Sequence, residues 1–128
     1  MADKNKKLKV FLVEDSTLYS LMLDHKLQDI ADYRLTVFET AEEALDNLYL
    51  KPDCVILDYF LPGMNGLEAL KKIKTQHPNL PVIILSSQNN VQVALDVIKA
   101  GATEYFTKGN LNIDDLYETI NRSCENKK

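Results

Sequence analysis

In this 128-residue chain, polar residues stand directly behind several apolar runs. Glu14-Asp15 follows Val10-Phe11-Leu12-Val13, Asp58 follows Cys54-Val55-Ile56-Leu57, Ser86-Ser87 follows Val82-Ile83-Ile84-Leu85, and Lys108 comes shortly after Tyr105-Phe106. Three carboxylates gathered in one place raise one another's pKa unless cations balance them. Lys108 supplies one positive charge. A hard divalent cation with oxygen ligands fits the remainder, magnesium above all, because it takes one or two carboxylates, keeps several waters and accepts a phosphate oxygen. These residue types therefore point to a metal and phosphoryl site. Singly, each has an ordinary structural role: Asp15 can cap a helix starting near Ser16, Ser86 can cap a turn, and Lys108 can be a solvated surface charge. Complementary groups at four strand ends are not explained that way.

The positioning elements follow from the hydrophobic pattern. The four apolar runs have the continuous character of strands buried on both faces, and Arg34-Leu35-Thr36-Val37-Phe38 alternates in the manner of a strand nearer a sheet edge. Helical patterns lie between them. Ser16 is placed to cap a helix running to Ile30, and Thr40 to cap one from Ala41 to Leu50, with Glu43 at the capping-box position and Pro52 as the stop. Asn65 or Gly66 opens an amphipathic helix bearing Leu67, Leu70, Ile73 and Lys74, which His77-Pro78 ends. Asn89 or Asn90 opens a fourth helix, closed by Gly101. Asn112 precedes the last, from Ile113 to about Cys124, with Asp114 and Asp115 in its first turn. A strand-helix unit repeated five times requires parallel strands with helices on both faces, a doubly wound α/β domain. In such sheets the functional crevice lies outside the carboxyl ends of the strands, where the polar groups sit.

Composition supports one domain. The chain has 45% hydrophobic and 27% charged residues, four Gly, four Pro and no Trp, sufficient for a single core without disulfides. With 15 basic and 19 acidic residues the net charge is −4, which argues against a nucleic-acid footprint or attraction to an anionic membrane. The lysine-rich start is no secretory signal, and no apolar stretch approaches the ~20 residues that span a bilayer. Cys54 and Cys124 lie in no CxxC or Cys/His cluster, consistent with a reducing cytoplasm. His25 and His77 form no ligand constellation and are expected at the surface. The expected division is a polar segment 1–7, a single domain 8–124 and a polar tail 125–128, with no room for an output domain within the sequence.

Val13-Glu14-Asp15-Ser16, the loop Asp58-Tyr59-Phe60-Leu61-Pro62-Gly63-Met64-Asn65-Gly66, Leu85-Ser86-Ser87 and the segment from Ala100-Gly101 through Tyr105 to Lys108 together resemble the receiver domain of two-component response regulators, of the stand-alone chemotaxis-regulator-like type. The resemblance covers essentially the whole chain. It implies a flavodoxin-like five-stranded parallel sheet in the order 2-1-3-4-5 with five helices. It also implies that Asp58 accepts a phosphoryl group from a phosphohistidine, in a magnesium-dependent reaction that the chain catalyses only on itself. One Mg2+ is expected on Asp15, Asp58 and the backbone carbonyl of Phe60, with Glu14 acting through water. Lys108 would pair first with Asp58 and then with a phosphoryl oxygen. Ser86 would donate its hydroxyl to another, and Tyr105 matches the aromatic switch position. The implied partners are a sensor histidine kinase or histidine phosphotransfer protein and an unidentified downstream protein.

The chain departs from the family pattern in two places. Gly109 stands where members usually have Pro after a cis bond, so either a trans bond with a rearranged loop or a strained cis bond is expected, a non-prolyl cis bond costing about 2.5–4 kcal/mol. Ser87 replaces the usual Ala or Gly. Phe60 and Gln88, each two residues past a site residue, are candidates for setting phosphoryl lifetime, Phe60 by shielding against water and Gln88 by orienting it. The first helix carries Tyr19, Leu23, Leu27 and Ile30 on one face and Leu18, Leu21, Met22 and His25 on nearly the opposite one. Leu18, Leu21 and Met22 thus form a candidate docking surface, and Val91, Leu95 and Ile98 pose the same question on the fourth helix. Alternative functions fit less well. A flavin-binding domain would need an anion loop where Glu14-Asp15 repels phosphate, and a phosphatase would typically carry an acid where Phe60 stands. A receiver-like interaction module not regulated by phosphorylation remains as the alternative.

Overall fold

The computed structural model describes residues 7–125. Strands β1 (Leu8–Val13), β2 (Tyr33–Phe38), β3 (Cys54–Asp58), β4 (Val82–Ser86) and β5 (Glu104–Thr107) alternate with helices α1 (Thr17–Ile30), α2 (Ala41–Asp46), α3 (Gly66–Gln76), α4 (Val91–Lys99) and α5 (Ile113–Glu125). All neighbouring strands pair in parallel, in the order β2-β1-β3-β4-β5. The expected doubly wound fold and strand order are met. Most of the polar segments expected at 1–7 and 125–128 lie outside the described residues.

Strand alternation divides the core into two layers. Val10, Leu12, Cys54, Ile56, Ile83 and Leu85 pack with Leu23 and Leu27 of α1 and Leu116 and Ile120 of α5. Phe11, Val13, Val55, Leu57, Val82 and Ile84 face the opposite way, against Ala41 and Ala44 of α2, Leu70 and Ile73 of α3 and Val97 of α4. Every second residue of a central strand therefore meets a helix on one side and the intervening residue meets a helix on the other, which is why these strands are continuous apolar runs. At the sheet edge β2 leaves Arg34, Thr36 and Val37 exposed, as its alternating pattern implies.

Four of the expected caps form. Ser16, Thr40, Asn65 and Asn90 each accept the backbone N–H three residues on, from Tyr19, Glu43, Glu68 and Val93 respectively. Asn112 Oδ1 accepts from Asp114 and Asp115 at the start of α5. Glu43 reaches the Glu39 N–H rather than completing a box on Thr40. α2 also ends earlier than the expected Leu50. The Asn47 side chain donates to Glu43 O at 2.7 Å, the chain tightens into a 3-10 turn at Leu48–Leu50, and Lys51 turns left-handed at φ 59°. Asn competes for helix carbonyls, and the residue before Pro52 is steered away from helical geometry. Gly101, at φ 107°, follows the end of α4 as the expected terminator. Cys54 and Cys124 are not joined in a disulfide.

Candidate functional site

The carboxyl ends of β1, β3, β4 and β5 bring the predicted groups to one rim. Glu14 and Asp58 are buried, Asp15 is exposed, and each of the three offers a carboxylate oxygen within 4.8 Å of the other two. Lys108 closes the cluster, its Nζ donating to Glu14 Oε1 at 2.6 Å and to Asp58 Oδ2 at 3.3 Å. The ammonium thus contacts Asp58 and pairs more closely with Glu14, a partner that the resemblance does not name for it. Glu14 is held at both oxygens, because its Oε2 accepts the Ser16 N–H at 2.9 Å. Asp58 Oδ1 accepts the Phe60 N–H at 3.3 Å, which folds the loop after β3 back over the carboxylate.

The electrostatics follow from this packing. Burial pushes the Asp58 carboxyl up, the Glu14 charge pushes it further, and Lys108 and the Phe60 N–H only partly offset them, leaving it at about 6. Burial alone would lower the Lys108 pKa. The hydrogen bond to Glu14 and the charges of Asp58 and Glu14 outweigh it, and the net direction is upward. One ammonium among three carboxylates leaves a deficit of positive charge at a cluster of hard oxygen donors. That donor set fits a divalent cation of the magnesium type, which the cluster Glu14, Asp15 and Asp58 would hold.

Ser86 and Tyr105 meet at one atom. The fully buried Ser86 Oγ donates to Gln88 O at 3.1 Å and accepts the Gln88 N–H at 3.2 Å, so here it caps its own turn. The half-buried Tyr105 hydroxyl donates to the same Gln88 O at 2.7 Å. Ser87 is exposed, as is the Phe60 side chain, whose ring meets Tyr59 edge-on at 5.0 Å. Among the described residues no peptide bond is cis, and Lys108–Asn110 forms a 3-10 turn, so the trans alternative with a rearranged loop holds at Gly109. Leu18 and Leu21 are 80% and 62% exposed, whereas Met22 is half-buried, which splits the expected docking set. His25 and His77 are exposed.

Tyr19 is the neighbour that sequence spacing did not assign to the site. Its helical period places it on the core-facing stripe of α1, but one turn past the Ser16 cap that stripe reaches the rim. There the Lys108 Nζ lies 4.4 Å from the Tyr19 ring centroid. Burial, and then the charges of Glu14 and Asp58, raise the Tyr19 hydroxyl to about 12, so it stays neutral.

Residues 10–121 match the family described as the response regulator receiver domain. The chain belongs to that family. It is 35% identical over 114 residues to the DNA-binding transcriptional regulator NtrC of Klebsiella pneumoniae, covering 88% of this chain and 24% of that regulator. This receiver thus spans about a quarter of the relative's length. A beryllofluoride-activated DrrB receiver domain superposes with a TM-score of 0.82 at 28% identity, covering 94% of this chain and 99% of that one. A Francisella response regulator receiver domain does so with a TM-score of 0.82 at 28% identity, covering 95% and 100%. Glu14, Asp15 and Asp58 match the phosphoaccepting, magnesium-coordinating site of receiver domains. Sites of this architecture carry out the phosphorylation and dephosphorylation of their own chain. Among the described residues no helix is long and apolar enough to cross a membrane.

Proposed function

We propose that Asp58 takes a phosphoryl group from a phosphohistidine on a sensor kinase or histidine phosphotransfer protein, and that the resulting aspartyl phosphate changes the protein-binding surface of this receiver. The observation that carries the reading is the Asp58 carboxylate itself: buried at the end of β3, anchored by the Phe60 N–H and facing Lys108. A carboxylate oxygen forms the new O–P bond while the N–P bond of the donor breaks and its electron pair remains on the imidazole nitrogen. Charge spreads over the three equatorial oxygens during the transfer, so the site must hold donors and cations in place beforehand. Asp15, Asp58 and the Phe60 carbonyl would hold Mg2+, and Glu14, both of whose oxygens are engaged, would contribute its charge through water. When bound, the ion neutralises charge on the carboxylates and the phosphoryl oxygens.

Lys108 moves from its carboxylate partners to a phosphoryl oxygen. Ser86 donates to another once it leaves Gln88 O. That carbonyl is then left to Tyr105, which couples the site to the α4–β5 side of the molecule. Leu18 and Leu21, with Met22 behind them, would receive the phosphodonor beside the rim, and Phe60 and Gln88 would set the phosphoryl lifetime. A cytoplasmic location belongs to this reading, in keeping with two cysteines that lie in no CxxC or Cys/His cluster. Incubation with Mg2+ and acetyl phosphate tests the reading, with phosphate uptake expected in the wild type and none in Asp58→Asn. Uptake in neither, together with no beryllofluoride adduct, would leave an interaction module that phosphorylation does not regulate.

A further inference from the structure

We propose that Tyr19 is a positioning residue for Lys108, its ring holding the ammonium at the rim where the phosphoryl oxygen must arrive; this rests on the receiver reading above. Three observations carry it. The ammonium lies 4.4 Å from the ring centroid, within cation–π range, and this third neighbour stands beside the two carboxylates. The residue after the lysine adds no side chain that could hold the ammonium, because Gly109 follows it and the space around its Cα is open. Tyr19 is itself anchored, since its N–H donates to Ser16 Oγ at 3.2 Å and the Ser16 N–H donates to Glu14. The start of α1 thus fixes both the carboxylate and the ring that flank Lys108.

An aromatic face suits this task better than a third anion would. It attracts the ammonium without being a fixed negative charge, so it does not compete with the incoming phosphoryl oxygen as strongly as a carboxylate. The Tyr19 hydroxyl is buried and has no hydrogen-bond partner among the described residues, which places the useful chemistry in the ring. Behind the contact lies a cavity of about 60 Å3, lined by Tyr19, Met22, Leu23, Lys26 and Lys108 among others. If the ring were removed, the lysine would have room to swing away from the carboxylates.

The test compares Tyr19→Leu and Tyr19→Phe with wild type, using acetyl phosphate and a magnesium titration. Tyr19→Leu should lower the maximal phosphorylation rate about five- to thirty-fold, the range of a partly to fully desolvated cation–π contact, with half-saturating Mg2+ within about twofold of wild type. Tyr19→Phe, which keeps the ring, should recover the rate lost in Tyr19→Leu. By NMR, the Lys108 Hε protons should be shifted upfield by the ring in wild type and Tyr19→Phe, but not in Tyr19→Leu. Tyr19→Met serves as the ring-free variant if the leucine protein does not fold. A wild-type rate in the ring-free variant, a loss in Tyr19→Phe equal to that in Tyr19→Leu, or unshifted Lys108 protons in wild type would each overturn the role. A wild-type chain that takes up no phosphoryl group would overturn the receiver reading as well, so the two failures are distinguishable.

Discussion

Asp58→Asn should make the protein more stable at neutral pH. Folding buries Asp58 beside the Glu14 charge and raises its carboxyl from 3.8 to about 6. The folded chain therefore holds this proton more tightly than the unfolded chain does. The resulting stabilisation is fully present below about pH 4 and is lost as the pH rises through about 6. At pH 7.5 the ionised carboxylate is then a burden of about 3 kcal/mol, taking about 1.4 kcal/mol per pH unit of separation. That figure is already net of Lys108, which retains its closer bond to Glu14 in the variant. An asparagine keeps the shape and can still accept the Phe60 N–H. Urea unfolding in EDTA at pH 7.5 should show the variant more stable by about 3 kcal/mol, a midpoint shift of about 1–3 M at urea slopes of about 1–3 kcal/mol per M. At pH 4 the advantage should nearly vanish. A variant no more stable than wild type at pH 7.5, or an advantage that persists unchanged at pH 4, would refute the reasoning.

Other perturbations test the rest of the site. Magnesium at one hundred times its dissociation constant should stabilise the wild type by about 2.7 kcal/mol in thermal unfolding, and Asp15→Asn, a change at an exposed residue, should reduce the gain without altering stability in EDTA. Gly66→Ala should destabilise by about 1–3 kcal/mol, because its Cβ would stand 2.6 Å from Tyr59 Cα and 3.0 Å from Asp58 O. Gly109→Ala, with open space around it, should stay within about 0.5 kcal/mol by the same chemical denaturation. Leu18→Glu and Leu21→Glu should leave stability within about 0.5 kcal/mol yet slow phosphoryl transfer from a phosphohistidine donor, with uptake from acetyl phosphate unaffected. Phe60→Asn should shorten and Gln88→Ala lengthen the life of the aspartyl phosphate, as followed by phosphate release.

The carboxylates and their strand ends are legible in the sequence because each follows an apolar run whose only comfortable place is the sheet interior, whereas the run before Lys108, expected to be buried on both faces, is a half-buried edge strand. Caps such as Asn65 and Asn90 are legible for a similar local reason: the side chain bonds three residues ahead. α2 is less so. Asn47, Lys51 and Pro52 act together to stop it, and periodicity carries the apolar positions on to Leu50. The pairing preference of Lys108 depends on how closely β5 approaches β1 across two intervening strands, a tertiary distance that no local pattern encodes. Tyr19 illustrates the same limit, since its spacing marks it as a core-facing residue and only the height of α1 above the sheet puts its ring against an ammonium.

The 2.6 Å bond between Glu14 and Lys108 joins residues 94 positions apart, one behind the first strand and the other behind the last. Its consequence lies in biogenesis. A chain that stops short of β5 lacks the ammonium that, among the described residues, pairs with Glu14 and Asp58. Burying the two carboxylates costs less once β5 joins the sheet edge and delivers Lys108 between them. The electrostatic setting of Asp58 is therefore complete only with the last strand in place, which ties the chemistry of the site to closure of the sheet.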